Sequence, residues 1–148
     1  MHRTTRHADV TAVELFTART RLVQYSVHVF LVRGAMVDTG FHAVRRDVAR
    51  LVDEVRPRGA IVTHWHEDHS GNAELLARRG VPLAMADETR VRIADVEAIA
   101  LYRRFTWASM PSLQSPVTPF APGDLAMLPM PGHSSDHHVV WDASTRTL

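Results

Sequence analysis

Cysteine is absent from the 148 residues, which removes disulfide frameworks, thiolate metal sites and cysteine nucleophiles together. A transition metal in such a chain takes imidazole and carboxylate ligands. Lysine is absent too: all 17 basic side chains are arginine, so Schiff-base and lysine-base chemistry are excluded. No stretch approaches the roughly eighteen apolar residues of a membrane span, and no apolar segment follows the positively charged start, Met1 to Asp9. The chain therefore reads as cytoplasmic, with no membrane partner. Net charge is lacking as well. The 17 basic and 16 acidic residues leave a formal charge of +1, which supplies no field to gather a polyanion and speaks against a nucleic-acid partner.

What remains is ordinary globular material, 45% apolar and 22% charged, long enough to bury a core. β-Branched and aromatic residues dominate Val10 to Phe16 and Val23 to Val32, and Arg33-Gly34 punctuates the run before Ala35-Met36-Val37. This predicts an antiparallel meander. Val44, Val48, Leu51, Val52 and Val55 recur at helical spacing until Pro57 and Gly59 end the pattern. Gly59 to Thr63 is a short buried strand, Ala73 to Gly80 a helix, and Val81 to Met85 a strand. A longer helix from Asp87 to about Phe105 follows, with Val91, Ala94, Ile99 and Leu101 as core candidates. The proline-rich stretch between Trp107 and Pro122 reads as a substrate-facing loop or lid. Leu125 to Met130 and His138 to Trp141 return as strands, and Arg146 opens another. The alternation is that of an α/β fold, and with no repeat or linker, residues 1–148 read as one domain.

The chemistry concentrates in His64-Trp65-His66-Glu67-Asp68-His69, which follows a buried strand and precedes a helix. In extended backbone His64 and His66 project to the same side and can converge on one ion. As the chain turns, Asp68 and His69 can face a second ion roughly 4 Å away. His133, in Pro131-Gly132-His133-Ser134, supplies the third imidazole of a tripod that leaves a coordination position open for water. Asp38, at a strand end, either orients a ligand imidazole or caps the next helix. His137 and His138 read as ordinary strand residues, His28 and His42 as structural ones. Tyr102-Arg103-Arg104-Phe105 reads as an amphipathic helix end whose cations suit the helix dipole.

Three motifs in this order, Asp38-Thr39-Gly40, the His-x-His-x-Asp-His run and Pro131 to Ser134, resemble those of the metallo-β-lactamase superfamily. The resemblance implies an αβ/βα sandwich holding one or two zinc ions, with iron or manganese as alternatives. It implies His64, His66 and His133 as ligands of the first ion, and Asp68 and His69 as ligands of the second. Histidine at position 69, where a narrower lactam-hydrolysing group carries arginine, implies thioesterase, lactonase or nuclease branches and favours glyoxalase-II-like chemistry. The family's bridging Asp and last histidine would fall beyond Leu148, so the chain reads as the N-terminal part of the fold, and Asp142, in a turn, is a poor substitute. The expected function is metal-dependent hydrolysis of an ester-like bond in a small molecule, a thioester or lactone, with Asp68 positioning the attacking water and accepting its proton. The alternatives are a phosphodiesterase of the same fold, or a metal-binding fragment without turnover.

Overall fold

A computed structural model describes residues 2–96 and 101–148. Strands β1 (His2–His7), β2 (Val10–Leu15), β3 (Val27–Val32) and β4 (Ala35–Val37) form the antiparallel meander. Helix α1 (Ala18–Leu22) lies between β2 and β3. A 3₁₀ turn (His42–Val44) and helix α2 (Arg45–Val55) lead to β5 (Gly59–Ile61), which pairs parallel with β4 and with β6 (Leu83–Ala84). Between β5 and β6 lie the short helices α3 (Glu67–Ser70) and α4 (Ala73–Arg78). Helices α5 (Asp87–Ala94) and α6 (Leu101–Trp107) follow, then β7 (Leu125–Pro129) and β8 (His138–Asp142), which form a separate two-stranded sheet.

Alternation along the strands sorts the core to two faces of the large sheet, because successive side chains point to opposite sides. Val13, Leu15, Val27, Val29, Met36 and Ala60 face the helices, where Val44, Val48, Leu51 and Val52 present the apolar stripe read from the sequence. Val32, Ala35, Val37 and Ile61 face the other way, against Leu125 with Met127 and Val140 of the β7–β8 hairpin. The hairpin is clamped to the β3–β4 turn by Arg33, whose Nε donates to Asp142 Oδ2 at 2.7 Å.

Several expectations are corrected. Residues 2–7, to which the sequence pattern assigns no element, form a fully exposed edge strand, because β2 offers HRTTRH an unpaired edge although it carries no apolar alternation. The strand expected from Val23 begins only at Val27. The preceding residues form α1, whose Thr17–Thr20 capping box closes its start, and a turn with Gln24 at positive φ. The long helix from Asp87 stops at Ala94, and its buried positions are Thr89 and Ile93, while Val91 is 68% exposed and Ala94 is also exposed. The core expectation for Ile99 and for the Leu101 side chain lies outside the described residues. The stretch after Trp107 is packed rather than lid-like: Met110 and Leu113 are buried in the main core, and Glu74 accepts from the Gln114 and Ser115 amides.

Burial alone would raise the Asp142 carboxyl, but the Arg33 guanidinium and the Ser144 hydroxyl and amide outweigh it and hold it well below the usual carboxylate range. A depressed acid stabilises the fold above its unfolded pKa and ceases to do so as pH falls through the folded one. Asp142→Asn should therefore lower the melting temperature at pH 7, and the gap from the parent should close progressively below about pH 4. A gap constant down to pH 2 in calorimetry would assign the effect to packing instead.

Candidate metal centre

The histidine run spans the junction between the end of β5, an interior strand of the large sheet, and the start of α3. The segment Asp38-Thr39-Gly40, leaving β4 beside it, holds that run by its backbone. Thr39 N–H and Oγ1–H both donate to the His69 carbonyl, at 2.7 and 2.8 Å, and the Asn72 amide N–H donates to Thr39 Oγ1. Gly71 packs so tightly that an added Cβ would stand 2.3 Å from the Glu67 carbonyl oxygen and 2.9 Å from that of Gly40. Only glycine fits there.

Asp38 is 4% exposed and sits at φ 61, a left-handed conformation that Asp and Asn tolerate better than most residues. Its carboxylate accepts from Thr63 N–H at 2.9 Å, from Thr63 Oγ1–H at 2.9 and 3.0 Å, and from His69 Nδ1 at 2.7 Å. Of the two roles open to it from sequence, it orients an imidazole and does not cap the next helix, whose N-cap is Phe41. The Thr63 hydroxyl spends its hydrogen on Asp38, so it must accept the 3.0 Å contact from His64 Nδ1. His64 is thereby fixed as the Nδ1–H tautomer, with its Nε2 lone pair free. That Nε2 is buried and has no hydrogen-bond partner.

One nitrogen from each of His64, His66 and His133 lies within 4.8 Å of the others. His66 Nδ1 and His133 Nε2 face each other at 2.9 Å, a contact that needs one hydrogen between two otherwise basic nitrogens. A buried lone pair without a donor and two facing imidazole nitrogens are what a divalent cation satisfies. The donor set fits zinc-type chemistry at this position. Asp68 and His69 lie next to it, with His69 Nε2 3.6 Å from Asp68 Oδ2, but among the described residues no third His, Asp or Glu joins them at ligand spacing.

Burial holds His64 down to about 2, helped by the neighbouring His69 and His66 rings, and burial with Arg103 holds His66 to about 4. Burial opposes charging of His69 too, but the Asp38 hydrogen bond and charge, with Asp68 and Glu67, outweigh it and raise the ring above its ordinary value. Glu67, 1% exposed, receives a bidentate ion pair from Arg103 at 2.8 and 2.6 Å, so Arg103 anchors the histidine run rather than merely ending a helix. His137 lies outside β8, its ring 5.0 Å from that of His64, which corrects its reading as a strand residue, whereas His138 is in β8. His28 is an exposed strand residue and His42 opens the 3₁₀ turn. Thr63 and Asp136 carry no sequence signal and Arg103 reads there only as a helix-end cation, because the contacts with Asp38, Trp65 and Glu67 that define their roles span 25, 71 and 36 positions.

The sequence profile of the metallo-beta-lactamase superfamily matches residues 23–148. The chain belongs to that superfamily. Solved members share its fold at low identity. A metallo-beta-lactamase from Pontibacter korlensis superposes with a TM-score of 0.62 at 20% identity, over 97% of this chain and 68% of that one. The DIM-1 metallo-beta-lactamase gives 0.61 at 19%, over 97% and 66%. The FIM-1 enzyme from Pseudomonas aeruginosa, solved in its mono-zinc form, gives 0.63 at 17%, over 94% and 63%. This superfamily member thus spans 66% of the length of the DIM-1 chain.

Asp38→Ala leaves the Thr63 amide and hydroxyl and His69 Nδ1 without their acceptor and places alanine at positive φ. It should destabilise the protein by about 3 kcal/mol in urea unfolding, with Asp38→Asn losing markedly less. Equal losses would show that the charge, which both variants lack, carries the effect rather than the acceptor shape and left-handed backbone that asparagine keeps. In metal-free protein, ring ¹H–¹⁵N spectra should show His64 and His66 neutral at pH 5.5 and His69 titrating above about 6.5. A protonated His64 at that pH would contradict the burial argument.

Proposed function

We propose that this chain carries the metal site of a metal-dependent hydrolase acting on an ester-like bond of a small molecule, a thioester or lactone. The observation that carries the reading is the convergence of His64, His66 and His133 around a buried, unpartnered His64 Nε2. These residues would hold the first ion, zinc by donor type, with iron or manganese as alternatives, and Asp68 and His69 would contribute to a second. A divalent ion there supplies Lewis acidity toward a carbonyl oxygen and lowers the pKa of a water from 15.7 toward about 7.

The remaining work falls to side chains of this chain. Asp38 and Thr63 keep His64 in the tautomer that leaves Nε2 free. Burial keeps His64 and His66 neutral and so able to ligate at neutral pH. The Asp68 carboxylate is 22% exposed beside the cluster, open enough to hold a water by hydrogen bond and take its proton at a carboxylate oxygen. No side-chain nucleophile is required. The formal charge of +1 favours this reading over a nucleic-acid phosphodiesterase, and the compartment is taken to be the cytoplasm.

Elemental analysis of protein purified without chelators should find near one zinc per chain, lost in the His64→Ala, His66→Ala double variant. Asp68→Asn should retain that zinc while thioester or lactone turnover falls at least about a hundredfold. A parent without metal would sink the reading. Metal with no turnover of any ester would favour a binding module over an enzyme.

A further inference from the structure

The three histidines come from two loops far apart in the chain, and something must set the distance between them. His64 and His66 are fixed from the β5 side. His133 is exposed on the loop between β7 and β8, whose bonds Met130 N to His137 O, Gly132 N to Ser134 O and His137 N to Ser134 O are internal to it. These shape the loop without attaching it to the histidine run. At the loop's far end His138 N–H donates to the Thr63 carbonyl at 3.0 Å, which places β8 but not His133. Ser135 and Arg92 meet Glu88 at the surface, where exposed polar contacts stabilise little.

Asp136 is different. It is 2% exposed, and its carboxylate accepts three hydrogen bonds from three segments. Trp65 N–H, between His64 and His66, reaches Oδ2 at 2.8 Å. Thr89 Oγ1–H, on α5 and itself fully buried, reaches the same oxygen at 2.8 Å. Ser134 Oγ–H, next to His133, reaches Oδ1 at 2.7 Å. The two oxygens of one buried carboxylate therefore join the residue flanked by two of the histidines to the residue beside the third, with α5 as the anchor. Three donors converging on two acceptor atoms call for a group that only accepts, which is a carboxylate.

We propose that Asp136 is a positioning residue for metal binding: it sets the spacing of His133 from His64 and His66 and so the affinity and geometry of the cation site. The inference rests on the three-histidine reading above. Partners of metal ligands that hold them in place are worth about 10- to 100-fold in affinity when removed.

The test is cobalt(II) binding to the full chain, read by competition with a chelating dye and by the visible spectrum of the bound ion, alongside thermal unfolding of metal-free protein. Asp136→Ala should weaken cobalt binding about 10- to 100-fold and weaken and shift the tetrahedral d–d bands. Asp136→Asn, whose amide oxygen can still accept from Trp65 and Thr89, should recover most of the affinity and the parent spectrum. Ser134→Ala, a mild change at the loop, should move affinity and spectrum in the same direction as Asp136→Ala by a smaller factor, and it carries the test if Asp136→Ala does not fold. Parent-like affinity and spectrum in folded Asp136→Ala or in Ser134→Ala, with only the metal-free melting temperature lowered, would overturn the proposal while leaving the metal site standing. A parent that binds no cobalt would overturn the metal reading, and this inference with it.

Discussion

The Asp38 carboxylate is the constraint on which the rest of the centre depends. It is buried, on a residue whose backbone is left-handed just past the end of β4, and reaches across to Thr63, just past the end of β5, and to His69 in α3. One oxygen takes the Thr63 amide, the hydroxyl of the same threonine follows, and His69 Nδ1 closes the set. A carboxylate taken out of water is tolerated only when its lone pairs are filled. Filling them here dictates where Thr63 and His69 lie, and through Thr63 which nitrogen of His64 carries its hydrogen. The choice of tautomer is thus made by a carboxylate two hydrogen bonds away from the ring.

The histidine loop is held from its other side by packing as much as by polar contacts. The Glu67 pair with Arg103 ties it to α6, Ser70 Oγ bonds the carbonyls of Trp65 and His66 and touches Met110, and the fully buried Asn72 side chain caps the carbonyls of Thr39, Gly40 and Phe41. Such overdetermination keeps imidazoles buried and neutral without collapse of the loop onto its own polar groups. Preorganisation of this kind lowers the reorganisation needed when a ligand arrives. Opposite demands meet within a few ångströms: His64 is driven toward neutrality by burial, and His69 toward protonation by three carboxylates.

Legibility from sequence followed the range of the interactions involved. The α2 stripe of Val48, Leu51 and Val52 was readable because one face of one helix meets one sheet. The strand before His64 was readable as a continuous apolar run, since both of its faces are covered. The α5 face was not: Thr89 and Ile93 are buried while Val91 points to solvent, and a helix with so weak an apolar stripe has its orientation set by neighbours, among them Asp136. The β1 edge carries polar residues on both faces, so only the free edge of β2 makes it a strand. The prolines after Trp107 announced irregular backbone correctly but gave no sign that Met110 and Leu113 would fill the core.

The sequence by itself determined that any metal held here must take imidazole or carboxylate ligands, since it contains no cysteine, and that His64, His66, Asp68 and His69 would sit at a strand-to-helix junction, since spacing within one short run is a local property. Tertiary structure alone decided which nitrogens are free, how far His133 stands from its partners, that His137 joins the cluster's edge, and that Asp38 serves His69 rather than a helix end. Those outcomes depend on hydrogen bonds between residues 25 to 71 positions apart, Asp38 with Thr63 and Trp65 with Asp136, and no local pattern of residues encodes a contact of that range.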